Sequence, residues 1–246
     1  MLINKIGSYH TSNGINNQDS GFEFQNINCI VDGCSGGKHS EVGAKLYVKK
    51  LFEYLKQREA IGNVDKIEIN DLVKIFENIL GFVARSLENY SEYLIDVHNY
   101  MLFTILYLEE DQEGWDFFIC GDGFVITQDL EDKIKFFDID HASAPMYLAY
   151  SYVKEESLDL PEIEKGFSKN PPFKVFRFSK DEFKAVGIAS DGISYVVNTH
   201  YEETFKKLLL SRKDFLINRF INKMNYSVSK VGGSGFFKDD ITIAMR

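Results

Sequence analysis

The chain has 246 residues, of which 44% are hydrophobic and 14% aromatic, so it carries enough apolar material to bury a sizeable core. Its formal net charge of −9 argues against nucleic acid or an anionic membrane as a partner, because both would repel an acidic surface. Three cysteines cannot form a closed set of disulfides, and the sequence shows neither a signal-peptide pattern nor an 18-residue apolar run. We therefore expect one domain over residues 1–246 in the reducing cytoplasm, without a membrane span.

The first half of the chain is predicted to contain three strands and two helices before the strands resume. Alternating or continuous apolar residues predict strands at 3–9, 21–24 and 27–31. From Ser40 the apolar residues recur at helical spacing, and the predicted inward stripe is Val42, Ala44, Val48, Leu51 and Leu55. A second helix is expected to begin near Asp71 and to turn several apolar side chains inward, including Phe82.

The second half is predicted to be mostly strands, followed by two helices and a last strand. Strands are expected at 101–108, 115–120, 124–127, 133–137, 173–178, 183–188 and 241–245. We expect 173–178 and 183–188 to form a hairpin across Ser179, Lys180 and Asp181. Helices are expected at 202–210 and 214–224. Because the helices are grouped between blocks of strands, the order favours an α+β fold with antiparallel sheets.

Three of the predicted strands run directly into an Asp-Gly pair, at 32–33, 122–123 and 191–192. Asp-Gly is a preferred hairpin dipeptide, so any one of these pairs is most simply interpreted as a turn. However, the first pair leads into a helix instead of a return strand, and the third is followed by only a short, poorly alternating segment. The recurrence therefore indicates more than three ordinary turns.

Further acidic residues flank other strands: Asp19 precedes the strand at 21–24, and Asp239 and Asp240 precede the last strand. Mg²⁺ and Mn²⁺ are hard cations that prefer oxygen ligands, and carboxylates from several strand ends could converge on them. Glycine after an aspartate leaves the backbone carbonyl free to approach a metal. Two ions roughly 3.5–4 Å apart could share a water as nucleophile and hold a phosphoryl group for in-line attack.

The ordered set of motifs resembles the metal-dependent protein phosphatases of type 2C, the PPM family. Bacterial members carry, in order, N-[EQ]-D, D-G-x-x-G…E-x-A, G-D-S, S-D-G and D-[DN]-x-T. This chain has NQD at 17–19, DGCSGG at 32–37 with Glu41, GDG at 121–123, SDG at 190–192 and DDIT at 239–242. The resemblance implies an αββα sandwich, in which two face-to-face antiparallel β-sheets are flanked by helices on both sides.

The resemblance also implies a role for each aspartate. Asp32 and the carbonyl of Gly33 would bind two catalytic Mn²⁺ or Mg²⁺ ions, with Asp32 bridging them. Asp191 and Asp239 would hold one of these ions, so that Asp32, Asp191 and Asp239 form the catalytic set. Asp122, with Asp191, would serve a third and looser ion.

The resemblance further implies that Asp19 acts on the metals through a bound water. The implied substrate is a phosphoserine or phosphothreonine protein.

Four positions depart from the family pattern. Family members usually carry, five residues before the aspartate of N-[EQ]-D, an arginine that grips the substrate phosphate; that position is Gly14 here. Eukaryotic members often place a histidine, suggested as proton donor, where this chain has Cys34. The serine of G-D-S is Gly123, and the alanine of E-x-A is Gly43.

Lys38 is the candidate for replacing the missing arginine as a point charge, and His39 is the candidate for an acid or a phosphate partner at the site. Each has an ordinary alternative, as a solvated side chain near a helix start. Cys34 is not followed by a C-x5-R phosphate loop, which disfavours cysteine-based chemistry. The sequence thus predicts a metal-dependent phosphatase, and the alternative is a pseudophosphatase that binds a phosphorylated partner without catalysis.

Overall fold

The structure is a computed structural model that describes residues 1–62, 65–86, 97, 99–139, 145–152, 171–229 and 235–246. These residues contain two five-stranded antiparallel sheets. The strands of the first sheet are β1 (Leu2–Lys5), β6 (Phe124–Asp129), β7 (Ile134–Asp138), β9 (Phe183–Ala189) and β10 (Ile241–Met245). They are hydrogen-bonded in the order β1-β10-β9-β6-β7.

The second sheet is built from the remaining strands in nearly sequential order. Its members are β2 (Asp19–Phe24), β3 (Ile27–Asp32), β4 (Ile105–Glu110), β5 (Gly114–Cys120) and β8 (Lys174–Ser179). They follow one another across the sheet as β2-β3-β4-β5-β8. In the β2–β3 hairpin, Asp19 is paired directly with Asp32, so the first and last residues of the two strands lie side by side.

Five α-helices accompany the sheets in the described residues: α1 (Ser8–Asn13), α2 (Ser40–Ala60), α3 (Ile69–Ser86), α4 (Glu202–Ser211) and α5 (Asp214–Ser229). Two 3-10 helices, Leu148–Tyr152 and Asp191–Tyr195, connect other elements. Within the described part of the chain, no helix combines the length and apolar composition that crossing a bilayer requires.

Three apolar clusters hold these elements in four layers. The faces that the two sheets turn toward each other bury Ile30, Leu106, Ile119, Val125, Ile188 and Ala244. The other face of the second sheet packs against α2 and α3 through Cys29, Tyr107, Tyr47, Leu51 and Phe76. The other face of the first sheet packs against α4 and α5 through Ile126, Ile243, Phe205, Ile217 and Ile221. The predicted α+β sandwich of two face-to-face antiparallel sheets with helices on both sides is confirmed.

The predicted hairpin of 173–178 with 183–188 is wrong. β8 pairs with β5 in the second sheet, whereas β9 pairs with β6 and β10 in the first. The turn after Ser179 therefore carries the chain from one sheet to the other. The rings of Phe178 and Phe183 meet edge to face across this crossing, with their centroids 5.2 Å apart. Apolar periodicity predicted both strands but could not assign them to different sheets.

Two other predicted strands are too long. The segment predicted at 3–9 leaves the sheet after Lys5, and α1 begins at Ser8. The segment predicted at 101–108 joins its sheet only at Ile105; before it, Phe103 is fully buried and bridges the backbone of Gly33. Ile6 and Tyr9 of the first segment are exposed, whereas Met101 and Phe103 of the second are buried in the core from irregular backbone.

The inward face of α2 differs from the predicted stripe. Val42 is 40% exposed, and the buried face instead runs through Gly43, Ala44, Tyr47 and Leu51. On α3, Phe82 was expected to point inward but is 56% exposed. The large ring of Tyr47 is fully buried against Phe103. This contact explains why the buried face of α2 differs from the predicted one.

Gly43 stands where the family has alanine, and the structure gives the reason. A Cβ at this position would lie 1.8 Å from the carbonyl oxygen of Tyr100, which is backbone and cannot move aside easily. The absence of a side chain therefore lets the start of α2, just after the Asp32-Gly33 loop, approach the segment that leads into β4.

We predict that Gly43→Ala destabilises the protein by about 1–3 kcal/mol, as overpacking does, although alanine is the better helix former. Gly81→Ala in α3 is the matched control, since a Cβ there meets only the end of Arg85 at 3.8 Å. It should stabilise the protein by about 0.5–1 kcal/mol. Denaturant unfolding would measure both, and equal stability of Gly43→Ala and the wild type would contradict the close approach.

Candidate active site

None of the three Asp-Gly pairs closes a two-residue hairpin. Asp32 is the last residue of β3, and the chain continues toward α2. Asp122 lies in the connection from β5 to β6, which belong to different sheets. Asp191 follows β9 and begins the 3-10 helix Asp191–Tyr195. Each aspartate thus lies where a strand leaves its sheet, which places the carboxylates together at one edge of the sandwich.

Asp32 is at the centre of this group. Burial raises the pKa of the Asp32 carboxyl well above its usual range, and the negative charges of Asp19, Asp191 and Asp122 raise it further. The side chain of Asp32 also lies within hydrogen-bonding reach of Asp19 and Asp191. Carboxylates from four separated segments of the chain therefore share one electrostatic environment.

The pKa values of Asp191 and Asp19 are raised by the same surroundings. Burial raises the pKa of Asp191 from 3.8 to about 7, and the nearby charges of Asp239 and Asp122 act in the same direction. Burial also raises the pKa of Asp19, to about 6, although hydrogen bonds with Asp32 and Ser190 partly offset this effect. Removing a proton from either group is unfavourable unless a cation compensates the added charge.

Ser190 ties three of the predicted motifs together. Its hydroxyl donates a 2.7 Å hydrogen bond to Oδ2 of Asp19 and accepts one of 2.9 Å from the backbone N–H of Thr242. Its own N–H donates to the carbonyl of Thr242 at 3.0 Å. Because Ser190 is buried, these bonds fix Asp19 relative to the start of β10 and satisfy polar groups that lie away from water.

Gln18 connects the first motif with the loop after Asp32. Its side-chain carbonyl accepts a 2.8 Å hydrogen bond from the hydroxyl of Ser35, and its backbone carbonyl accepts one of 3.2 Å from the N–H of Gly33. Ser40 closes this loop by donating from its hydroxyl to the carbonyl of Cys34 at 2.7 Å. The loop that carries Gly33 is thus anchored at both ends.

The donor set fits Mg²⁺ or Mn²⁺. The converging side chains are carboxylates, which these ions prefer. Oδ1 of Asp19 is buried and lacks a hydrogen-bond partner, so it is available to a bound water. Among the described residues, three ligand atoms lie within 4.8 Å of one another only at His10, Asp239 and Asp240.

Lys38 and His39, the predicted phosphate contacts, are both exposed. His39 donates its backbone N–H to the carbonyl of Asn99 at 2.8 Å, and its ring lies against Tyr100 with the centroids 5.0 Å apart. Among the described residues, neither side chain hydrogen-bonds to the aspartates. Their role in phosphate binding stays a prediction that the geometry does not support further.

The sequence analysis missed two side chains beside the site. His10 is buried next to Asp239 and Asp240, although no metal-binding spacing of histidines marked it. Tyr147 is also buried, and its pKa is raised by that burial and by the nearby Cys34 and Asp122. No local sequence signal marks His10, because its place beside the aspartates depends on the contact of α1 with the segment before β10.

Gly14, which replaces the family's arginine, is the left-handed C-cap of α1, with φ 67°. Its backbone N–H closes the helix by bonding to the carbonyl of His10. Glycine suits this conformation because it has no Cβ to clash. The loss of the arginine is therefore accompanied by a short helix in the same segment.

We predict that the metal-free protein loses stability as pH rises from about 4 to about 7. The pKa values of Asp19 and Asp191 lie above their ordinary value of 3.8, so the folded state favours the protonated carboxyls. Their ionisation with rising pH therefore costs stability, on the order of a few kcal/mol in total, and the loss levels off above the folded-state pKa values. Thermal unfolding in EDTA at pH 5 and pH 7.5 would measure it.

Asp191→Asn should weaken this pH dependence and leave the metal-free protein at pH 7.5 as stable as the wild type or slightly more so. It should also remove most of the increase in unfolding free energy that Mn²⁺ produces. For the wild type this increase is about 2.7 kcal/mol at a hundredfold excess of Mn²⁺ over Kd. Asp181→Asn, at an exposed turn, is the matched control and should change neither property. A melting temperature indifferent to both pH and millimolar Mn²⁺ would contradict a shared metal site.

Comparisons with known proteins agree with this geometry. The Staphylococcus aureus serine/threonine phosphatase Stp1 is 15% identical, with a TM-score of 0.60 over 100% of this chain and 92% of that one. The Mycobacterium tuberculosis serine/threonine phosphatase PstP/Ppp is 13% identical, with a TM-score of 0.56 over 100% and 96%. A PstP catalytic domain described in complex with two manganese ions is 14% identical, with a TM-score of 0.56 over 100% and 96%.

These solved structures share the fold of the chain at low sequence identity. Among curated proteins, no sequence match is found. A family model described as Protein phosphatase 2C matches residues 6–225, which is most of the chain and includes four of its five motifs. The chain therefore belongs to the protein phosphatase 2C family.

Proposed function

We propose that this chain is a catalytically active protein serine/threonine phosphatase that depends on Mn²⁺ or Mg²⁺. The observation that carries the proposal is the convergence of Asp19, Asp32, Asp122, Asp191 and Asp239 from five separated segments. Burial and mutual repulsion oppose the ionisation of three of them, which is the arrangement that divalent cations relieve. Family membership supports the same reaction class.

In this proposal each aspartate has a separate task. Asp32 and the carbonyl of Gly33 would hold the two ions. Asp191 and Asp239 complete the surroundings of one ion, in keeping with the effect of the Asp239 charge on the Asp191 carboxyl. Asp122, with Asp191, serves a third ion. When bound, such ions supply Lewis acidity and lower the pKa of a coordinated water.

Asp19 has a positioning task in this proposal. Its Oδ2 accepts a hydrogen bond from Ser190, and its buried Oδ1 lacks a well-directed hydrogen bond, so Asp19 can orient a water at the metal site. The related PstP structure with two manganese ions supports the number of ions. The substrates proposed are phosphoserine and phosphothreonine in proteins, because the related structures are of serine/threonine phosphatases.

The proposal includes a cytoplasmic location and a single domain for the enzyme. All three cysteines are free, which is compatible with a reducing cytoplasm. Residues 1–246 would act as one phosphatase domain. A pseudophosphatase is not favoured, since the family's metal-binding aspartates are all present; Gly14 in place of the arginine is the feature that would weaken binding of the substrate phosphate.

We predict that the protein hydrolyses p-nitrophenyl phosphate when Mn²⁺ or Mg²⁺ is added and stops when EDTA is added. It should release phosphate from phosphoserine and phosphothreonine peptides in preference to phosphotyrosine peptides. Asp191→Asn should abolish turnover, whereas Cys34→Ser should retain it, because no protein nucleophile is involved. Undiminished turnover in EDTA, or its loss in Cys34→Ser alone, would contradict the proposal.

A second prediction concerns Gly14. Restoring the family's arginine with Gly14→Arg should lower KM for a small phosphoester, with a smaller effect on kcat, because it adds a phosphate contact. Gly14→Ala is the matched control, since both variants place a Cβ in the left-handed conformation at a cost of about 1–2 kcal/mol. A Cβ at this position meets no other atom within 4 Å, so the strain is confined to the backbone. Equal KM values for the two variants would show that the guanidinium does not reach the phosphate.

A further inference from the structure

We propose that His10 supplies an imidazole nitrogen to the metal ion held by Asp239, and that Asp240 orients the ring for this task. The proposal rests on the metal site of the proposed function and adds a nitrogen ligand to its carboxylates. It follows from the position of His10, from the contacts of its two ring nitrogens and from the way in which Asp240 is fixed.

His10 is held in place by the short helix that contains it. The side chain of His10 is 5% exposed, although histidine is seldom so deeply buried without polar partners. Gly14 closes α1 by bonding to the carbonyl of His10, and the N–H of Ser8 at its start donates to the carbonyl of Phe237 at 2.9 Å. The helix is therefore anchored to the segment just before Asp239.

The two ring nitrogens face two different carboxylates. Nδ1 lies 3.0 Å from Oδ1 of Asp240, and Nε2 lies 3.9 Å from Oδ1 of Asp239. Nδ1 is buried and has no well-directed hydrogen bond, so the nearby carboxylate is its electrostatic partner. With the ring proton on Nδ1, Nε2 keeps the lone pair that a metal ligand requires. Two electron-rich atoms at this distance repel each other unless a cation lies between them.

Asp240 is well suited to orient the ring because its carboxylate is itself fixed. It is buried, with Oδ1 accepting a 2.6 Å hydrogen bond from the N–H of Gly7 and Oδ2 accepting one of 2.5 Å from the N–H of Gln18. A carboxylate beside one nitrogen of a histidine whose other nitrogen binds a metal is a common arrangement, which sets the tautomer and the ring orientation.

The separation of Nε2 and Oδ1 also fits one shared ion. Bonds from imidazole nitrogen and carboxylate oxygen to Zn²⁺ are about 2.0–2.2 Å long, so two donors on one ion of this size can lie up to about 4.4 Å apart. The observed 3.9 Å between His10 and Asp239 falls inside this limit. Among the described residues, His10, Asp239 and Asp240 are also the group of three whose ligand atoms lie mutually within 4.8 Å.

A nitrogen ligand changes which metal the site prefers. Imidazole suits Mn²⁺ less than Zn²⁺ or Co²⁺, but it suits each of these better than Mg²⁺, which prefers oxygen and retains its waters. His10 should therefore raise the preference of this site for transition metals over Mg²⁺. A purely structural histidine would not produce this difference.

The direct test is pulsed electron paramagnetic resonance of the protein loaded with Mn²⁺. The wild type should show coupling of the Mn²⁺ electron spin to a ¹⁴N nucleus, and the coupling should change to that of ¹⁵N when the histidines are labelled with ¹⁵N. Calorimetric titration with Mn²⁺ and with Mg²⁺ provides the second measurement. His10→Ala should weaken Mn²⁺ binding at one site by about tenfold to a hundredfold and Mg²⁺ binding by less.

His200→Ala is the matched control, because His200 is exposed and its ring lies tilted against that of Tyr201. It should retain the nitrogen coupling and both affinities. Wild-type protein that binds Mn²⁺ without histidine nitrogen coupling would overturn the role of His10 and leave the proposed function standing. Failure of the wild type to bind any Mn²⁺ would overturn the proposed function itself. Even if His10→Ala does not fold, the absence of histidine coupling in the wild type overturns the role of His10.

Discussion

Like charges held close together in a partly buried space repel one another. At this site the charges are carboxylates of aspartates that lie where strands leave their sheets. Burial and mutual repulsion raise the pKa values of Asp19, Asp32 and Asp191, so the carboxylates gain much more from a bound cation than exposed carboxylates would. In the proposed site, the charges that would bind metal also weaken the metal-free protein. Stability and metal binding are therefore two consequences of one electrostatic arrangement.

Hydrogen bonds keep these charges from moving apart. Ser190 fixes Asp19 to the start of β10, and buried Asp240 fixes the backbone at Gly7 and Gln18. The antiparallel register of β2 and β3 places Asp19 beside Asp32. Residues separated by most of the chain are thus linked by hydrogen bonds within the protein.

The sequence predicted the sandwich and the converging aspartates because strand periodicity and an ordered set of motifs are local signals. It did not predict that β8 and β9 belong to different sheets, since periodicity shows which face of a strand is buried but not which strand lies beside it. It also missed His10, whose position depends on the contact of α1 with the segment before β10. Lys38 lies near the site in sequence, but its side chain is exposed, because proximity along the chain does not fix side-chain direction.

The central claim is that aspartates from separate strand ends jointly hold divalent cations. Anomalous diffraction from crystals of the protein grown with Mn²⁺ would test it most directly, because the peaks locate the ions without reference to activity. The account predicts two strong peaks on either side of Asp32, one of them also bordered by Asp191 and Asp239. Peaks only at surface carboxylates away from Asp32, or none in crystals that contain millimolar Mn²⁺, would contradict it.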